Sequence, residues 1–127
     1  NIGLGISFIS AGFPSPAEDF TELSISLDKH LIQNPAATFM VYTNGNSMVR
    51  AGIHHGDILI IDRSLSARDG DIIIAVLYGE FTVKQLSIVK GIFFLIPQNP
   101  QYSPVKISED MDFEIWGVVT YSIHKLR

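Results

Sequence analysis

Residues 70–86, Gly-Asp-Ile-Ile-Ile-Ala-Val-Leu-Tyr-Gly-Glu-Phe-Thr-Val-Lys-Gln-Leu, carry the clearest structural signal in the chain. A Gly-Asp turn opens the apolar run 72–77, and short β-branched runs between such turns are more often buried strands than helices. Tyr78-Gly79-Glu80 then indicates a tight turn into a second strand over 81–86. The stretch therefore predicts a β-hairpin.

Comparable strand signals lie on both sides of this hairpin, at roughly ten-residue spacing. The run 38–43 is rich in β-formers and ends at the turn signal 44–46, Asn-Gly-Asn, after which 47–51 has the length of one helical turn. Residues 97–104 predict a loop, because proline cannot donate to a strand ladder. The pattern predicts a mostly β domain, barrel-like or sandwich-like, with short helical turns. Its remaining strands are expected at 58–61, 92–96, 105–107 and 113–123.

Residues 1–22 are predicted to form a flexible N-terminal arm, which leaves a β-rich domain over 23–127. Three glycines and two prolines between residues 3 and 16 interrupt any helix or strand period. Polar and apolar residues then alternate over 24–28, and 31–35 indicate a short element and a turn. An arm this irregular can extend over a surface and reach a cleft.

Composition narrows the classes of function. The 127 residues suggest one domain, and only 17% of them are charged, against about 25% in typical soluble domains. Part of the surface is therefore expected to be covered by a partner or by a second copy of the chain. The net charge of −4 and the lack of a Lys/Arg run argue against direct binding of nucleic acid. The lack of cysteine removes thiolate catalysis, disulfides and cysteine-type zinc sites.

No segment of the sequence predicts a membrane span or a secretory signal. The apolar, Gly/Ser-rich stretch 1–13 lacks the basic region of a signal peptide, and it is shorter than the about 20 residues that cross a bilayer. We therefore expect a cytoplasmic protein without membrane contact, and the lack of cysteine is compatible with that compartment.

Ser47 is the first candidate for chemistry. It follows the Asn-Gly-Asn turn at the tip of a strand-to-helix-like connection, where Gly45 permits a close backbone approach. Such a turn leaves free N–H groups near the serine oxygen, and the amides of Asn46 and Ser47 are the natural donors to a tetrahedral oxyanion. Taken alone, however, the segment is more typical of a plain polar turn.

Lys84 is the second candidate, because it lies inside the strand 81–86 rather than at its end. Strand alternation places it on the same face as Thr82 and Leu86. On position alone it is more typical of an edge-strand lysine that points to water. To take a proton from a serine it must be neutral, so its ordinary pKa of about 10.4 must fall by roughly three units. Burial among apolar neighbours can lower the pKa by that much.

The histidines, His30, His54, His55 and His124, do not predict a metal site. His54 and His55 are adjacent, so they cannot both point the same way on a strand, and neither lies in a His-Glu-x-x-His type of spacing. They are expected in solvent-facing loops. No metal or other cofactor is expected.

Three segments resemble the LexA-type self-cleaving peptidases. Residues 45–57, with Gly-Asn-Ser-Met and Gly-Ile-His-His-Gly-Asp, resemble the serine motif of that family, and 79–86 resemble its lysine motif. Residues 11–17, Ala-Gly-Phe-Pro-Ser-Pro-Ala, are similar to the cleavage region of the UmuD branch, and this similarity extends over nearly the whole chain. Two positions depart from the branch. Asn46 stands where an acidic residue is common, and Ala11 stands where cysteine is frequent, although Ala–Gly is the cleavage pair of LexA repressors.

The resemblance implies the mostly β fold of that peptidase domain, with Ser47 as nucleophile, Lys84 as general base and Ala11–Gly12 as the scissile bond. It also implies that a RecA filament on single-stranded DNA promotes the self-cleavage, as part of the SOS response to DNA damage. The trimmed homodimer would then join a UmuC-type Y-family DNA polymerase in error-prone translesion synthesis.

Other interpretations stay open. The chain is also compatible with the self-cleaving dimerisation domain of a LexA-like or phage-type repressor, which would need a helix-turn-helix domain before the cleavage site. A signal peptidase shares the serine–lysine chemistry but would need a membrane anchor. A non-enzymatic interaction module would keep the fold, with Ser47 as a turn residue and Lys84 as a surface residue.

Overall fold

The computed structural model describes residues 3–5 and 24–127, which belong to two compact units, 1–33 and 34–127. In the first unit β1 (Gly3–Gly5) pairs antiparallel with β2 (Ser24–Ser26), and α1 spans Leu27–Leu31. Gly3 and Gly5, two of the glycines that were expected to interrupt any strand, therefore lie in one, because the ladder needs only backbone groups. The alternation over 24–28 corresponds to a strand only as far as Ser26. The boundary between arm and domain after residue 22 stays a prediction.

The second unit contains a seven-stranded sheet in which all neighbouring strands are antiparallel. Its strands are β3 (Thr38–Tyr42), β4 (Ile58–Asp62), β5 (Ile72–Leu77), β6 (Glu80–Val89), β7 (Ile92–Ile96), β8 (Val105–Lys106) and β9 (Phe113–Ile123). They lie side by side in the order β3-β4-β9-β5-β6-β7-β8. The mostly β fold class predicted from the sequence is confirmed.

The helical content of this unit consists of single turns. Pro35–Ala37 and Val49–Ala51 form 3₁₀ helices, and the second one lies within the turn predicted at 47–51. Across residues 3–5 and 24–127, no helix is both long enough and apolar enough to pass through a membrane.

The predicted hairpin is formed by β5 and β6. Leu77 and Glu80 pair across a two-residue turn, in which Tyr78 and Gly79 have positive φ angles of 50° and 80°. Two positive φ angles give a turn whose twist matches that of the flanking strands. Strand β6 continues beyond its predicted end at Leu86, because its second half pairs with β7.

Two groups of buried side chains form the core. One contains Met48, Ile53, Leu59, Ile61 and Ile74, and the other contains Ile73, Ala75, Leu86, Leu95 and Val118. Met48 is the next residue after Ser47, lies outside any strand, and is only 2% exposed. Because core side chains are closely packed, its burial anchors the segment that carries Ser47.

Gly117 lets β9 pass close to β4. The ladders on both sides of it shift register, between Ile60 and Ile61 on one side and between Ile74 and Ala75 on the other. A Cβ atom at position 117 would lie only 2.5 Å from Cγ2 of Ile61. A side chain at this position would therefore displace part of the core next to Met48, since Ile61 and Met48 belong to the same buried group.

Candidate active site

Ser47 lies at the start of the turn that leads from β3 into the 3₁₀ helix Val49–Ala51. Gly45 has a φ of 93°, a left-handed conformation that glycine adopts at little cost, and it lets the chain turn sharply before the serine. On the C-terminal side of Ser47, the buried side chain of Met48 holds the turn against the core. The structure thus places Ser47 on the strand-to-helix-like turn that the sequence predicts.

The peptide before Ser47 is held from the loop 97–104. Asn99 donates from Nδ2 to the carbonyl oxygen of Asn46 at 2.8 Å, and Tyr102 donates from its hydroxyl to Oδ1 of Asn46 at 3.3 Å. The Asn99 side chain is buried, and its own Oδ1 accepts from the Gln101 amide at 3.0 Å. Sequence reasoning missed Asn99, because the burial of a polar loop residue becomes apparent only when the loop is folded.

Lys84 points at Ser47. Its Nζ lies 3.1 Å from Ser47 Oγ, although the two residues are 37 positions apart in the chain. The same nitrogen lies 2.8 Å from Thr82 Oγ1 and 3.0 Å from the carbonyl oxygen of Val83. The expectation that Thr82 and Lys84 share a face of the strand is confirmed. The alternative of a lysine that points to water is wrong, because Nζ contacts three protein oxygens.

The environment of Lys84 favours its neutral form. The side chain is half-buried, and this burial lowers the pKa of its ammonium group below the ordinary value of 10.5. No carboxylate among the described residues forms an ion pair with it within 4.0 Å. A neutral amine could donate its two N–H groups to Thr82 and Val83, which leaves its lone pair free to accept the Ser47 proton.

The backbone around Ser47 offers hydrogen-bond donors. Among residues 3–5 and 24–127, none accepts a hydrogen bond from the amide of Asn46 or of Ser47. Both amides are therefore available to an oxygen that approaches Ser47 Oγ. Their role as oxyanion donors stays a prediction.

An apolar cavity of about 400 Å³ opens beside Ser47. It is lined mainly by β3, the Ser47 turn and β6, and its aromatic walls include Phe81 and Trp116. The Trp116 ring has an edge contact with Phe81 and a tilted contact with Phe39. The Arg63 guanidinium lies 4.3 Å from its centroid. The cavity can receive apolar or small side chains of a peptide. Ala11 and Gly12, the predicted cleavage pair, lie outside the described residues.

The histidines of the second unit lie in exposed segments outside the strands, as expected from the sequence. His54 and His124 are both exposed, but they converge on the buried carboxylate of Asp57. His55 points the other way and accepts a hydrogen bond at Nδ1 from the Gly45 amide. Sequence reasoning missed the His54–Asp57–His124 group because His124 is far away in the chain and meets the other two only through the pairing of β4 with β9.

The structure brings Ser47 and Lys84 into contact on a mostly β domain, and comparison with known proteins identifies the family. The profile of the family described as Peptidase S24-like matches residues 4–120, so the chain belongs to that family. Within the family its likeness to UmuD-type proteins, expected from the sequence, is confirmed by its relatives.

Three of these relatives show how far the likeness extends. The chain is 47% identical to Protein SamA of Salmonella typhimurium over 117 residues, which are 92% of this chain and 81% of that protein. It is 41% identical to Protein MucA of Escherichia coli over 116 residues, 91% and 79% of the two chains. It is 34% identical to the LexA repressor of Oleidesulfovibrio alaskensis over 114 residues, 90% of this chain and 55% of the repressor.

Proposed function

We propose that this chain is a UmuD-like self-cleaving serine peptidase, with Ser47 as nucleophile and Lys84 as general base. The observation that carries the proposal is the 3.1 Å separation of Lys84 Nζ and Ser47 Oγ in a half-buried setting. Hydrogen-bond contact between a nucleophile and its base is the signature of an activated serine. Membership of the Peptidase S24-like family supports the same assignment.

The reaction begins when neutral Lys84 takes the proton of the Ser47 hydroxyl. The Ser47 oxygen attacks the carbonyl carbon of Ala11, and the amides of Asn46 and Ser47 stabilise the negative oxygen of the tetrahedral intermediate. Lys84 then returns the proton to the nitrogen of Gly12 as the peptide bond breaks. Water releases residues 1–11 from the ester on Ser47, with Lys84 again as the base.

The cleaved protein is proposed to act in the SOS response as a homodimeric accessory subunit of a UmuC-type Y-family polymerase, after a RecA filament on single-stranded DNA promotes cleavage. The support for these partners is the resemblance to UmuD. A net charge of −4 is compatible with an indirect association with DNA. The dimer is tested by sedimentation at micromolar concentration, where a purely monomeric mass would contradict it.

A repressor domain is the second candidate, favoured by the 34% identity to a LexA repressor. The higher identity to SamA and MucA, together with the larger share of those proteins that is covered, supports the UmuD-like role instead.

Self-cleavage is tested by incubating the purified chain at about pH 10, where a lysine amine is more often neutral. Intact-mass spectrometry should detect loss of residues 1–11 and a product that begins at Gly12. Ser47→Ala and Lys84→Ala should both abolish the product. Thr120→Ala, on the exposed part of β9, serves as the matched control and should cleave normally. An unchanged mass, or equal cleavage by Ser47→Ala, would rule out the proposed chemistry.

A further inference from the structure

The exposed end of β9 meets the turn before β4 at three side chains that can ligate metals. His54 and Asp57 lie in that turn, and His124 follows the last residue of β9. Because Ile58 pairs with Ile123, Asp57 and His124 are the next two residues along the same antiparallel ladder. Their proximity is therefore imposed by the register of the sheet.

The donor atoms of the three residues converge. Nδ1 of His124 lies 2.5 Å from Oδ1 of Asp57, and Nδ1 of His54 lies 3.7 Å from Oδ2 of the same carboxylate. One potential ligand atom from each residue lies within 4.8 Å of the other two. The two imidazole rings stand side by side, with centroids 4.6 Å apart and a tilt of 37°. Two imidazoles and one carboxylate thus surround a single point at the surface.

We propose that His54, Asp57 and His124 form a binding site for Zn²⁺ or a similar divalent transition-metal ion. Two imidazole nitrogens and one carboxylate oxygen are a ligand set that Zn²⁺ accepts in four-coordinate sites, with water in the fourth position. The nitrogen ligands disfavour Mg²⁺ and Ca²⁺, which bind oxygen. The exposure of the two imidazoles, 49% and 43%, leaves room for the metal-bound water.

The site needs side-chain rotation to accept the ion. Ligands about 2.0–2.1 Å from a tetrahedral zinc lie roughly 3.3 Å from one another. The His124–Asp57 contact must therefore open slightly and the His54–Asp57 contact must close slightly. Ligand atoms that lie up to 4.8 Å apart must also approach to the same distance, which rotation of the exposed imidazoles can achieve. Asp57 is the fixed member of the set. It is only 2% exposed, and its Oδ2 accepts from the backbone amide of His54 at 2.8 Å. An ionised carboxylate has further lone pairs besides those used by the His54 amide and by His124.

Binding would tie the end of β9 to the turn that supports the Ser47 segment. Thr43, the residue after β3, donates from Oγ1 to the carbonyl of His54 at 2.7 Å and from its amide to the carbonyl of Asp57 at 2.8 Å. Nδ1 of His55 accepts a hydrogen bond from the Gly45 amide. A metal ion at this site would therefore stabilise the native turn by mass action, whether or not the chain is a peptidase.

The test uses the full chain and Zn²⁺ alone, in neutral buffer without chelators. Isothermal titration calorimetry should give one Zn²⁺ per chain, and thermal unfolding should show a higher Tm in its presence. His54→Gln and His124→Gln should each weaken binding by roughly tenfold or more and abolish the rise in Tm. His30→Gln, which removes a histidine of α1 outside the group, should bind as the unchanged chain does.

Three outcomes would overturn the proposal: no heat of binding, undiminished affinity in both cluster variants, or a loss that follows His30→Gln or His55→Gln instead. Far-UV circular dichroism without metal checks that the variants fold. Should one of them fail to fold, Zn²⁺ titration of the unchanged chain followed by NMR replaces it. Shifts of the imidazole signals of His54 and His124, without a shift of His30, support the site, and the reverse pattern refutes it.

Discussion

Replacing Asn99 by alanine should slow self-cleavage without unfolding the protein. The change removes the donor that holds the carbonyl of the Asn46–Ser47 peptide at 2.8 Å, and with it the Oδ1 that accepts from the exposed Gln101 amide. Leaving a polar group without its partner costs about 1–3 kcal/mol, and since Asn46 is exposed to water, the lower part of that range applies. If this cost falls on the alignment of the Ser47 turn, about 1.4 kcal/mol corresponds to a tenfold lower rate.

The assay is the first-order loss of full-length mass at about pH 10, followed by intact-mass spectrometry well below the Tm of each variant. We expect Asn99→Ala to cleave roughly five- to thirtyfold more slowly than the unchanged chain. Tyr102→Phe is the matched control, because it removes only the long 3.3 Å contact to the Asn46 side chain. It should stay within about twofold of the unchanged rate. A folded Asn99→Ala protein that cleaves at the normal rate, or an equal loss in Tyr102→Phe, would refute the positioning role.

Two further predictions concern stability. Gly117→Ala should lower the free energy of unfolding by about 1–3 kcal/mol, because the new Cβ meets Ile61 Cγ2 at 2.5 Å. Urea denaturation measures this change, and Ser122→Ala on the exposed face of β9 is the control. An unchanged midpoint for Gly117→Ala would contradict the close packing. For Lys84→Met, the difference in unfolding free energy from the unchanged chain should shift with pH. Burial lowers the pKa of Lys84 in the folded state below 10.5, the value expected in the unfolded state. Between the folded-state and unfolded-state pKa values the unfolded chain binds more protons, so the unchanged chain gains stability relative to Lys84→Met as pH rises. A difference that stays constant from neutral to strongly alkaline pH would show that burial does not penalise the ammonium group.

Local pattern predicted the elements of the fold well and their contacts poorly. The run 72–77 and the turn Tyr78-Gly79 are specified by neighbouring residues, and both occur as expected. The glycines of β1 misled the prediction, because a strand can form through backbone pairing with no help from side-chain pattern. The helix that begins at Leu27 was missed because five residues are too few to show a helical period.

For the candidate site too, the sequence predicted individual residues better than the contacts between them. Ser47 and Lys84 were found through motifs, yet their contact depends on packing the β3 turn against β6, which no local pattern encodes. Asn99 and the His54–Asp57–His124 group were missed because each depends on residues brought together over long stretches of chain. Such contacts follow from sheet order and register. Once the register that pairs Ile58 with Ile123 is known, the proximity of Asp57 to His124 follows directly.

The pH dependence of self-cleavage tests the pairing of Ser47 with Lys84 most directly. If neutral Lys84 is the base, the rate at which the product beginning at Gly12 forms should rise about tenfold per pH unit from neutral pH. It should reach a plateau below pH 10.5, because burial lowers the pKa of Lys84. A rate that does not change with pH, or a pH profile that is the same in Lys84→Ala, would contradict the account.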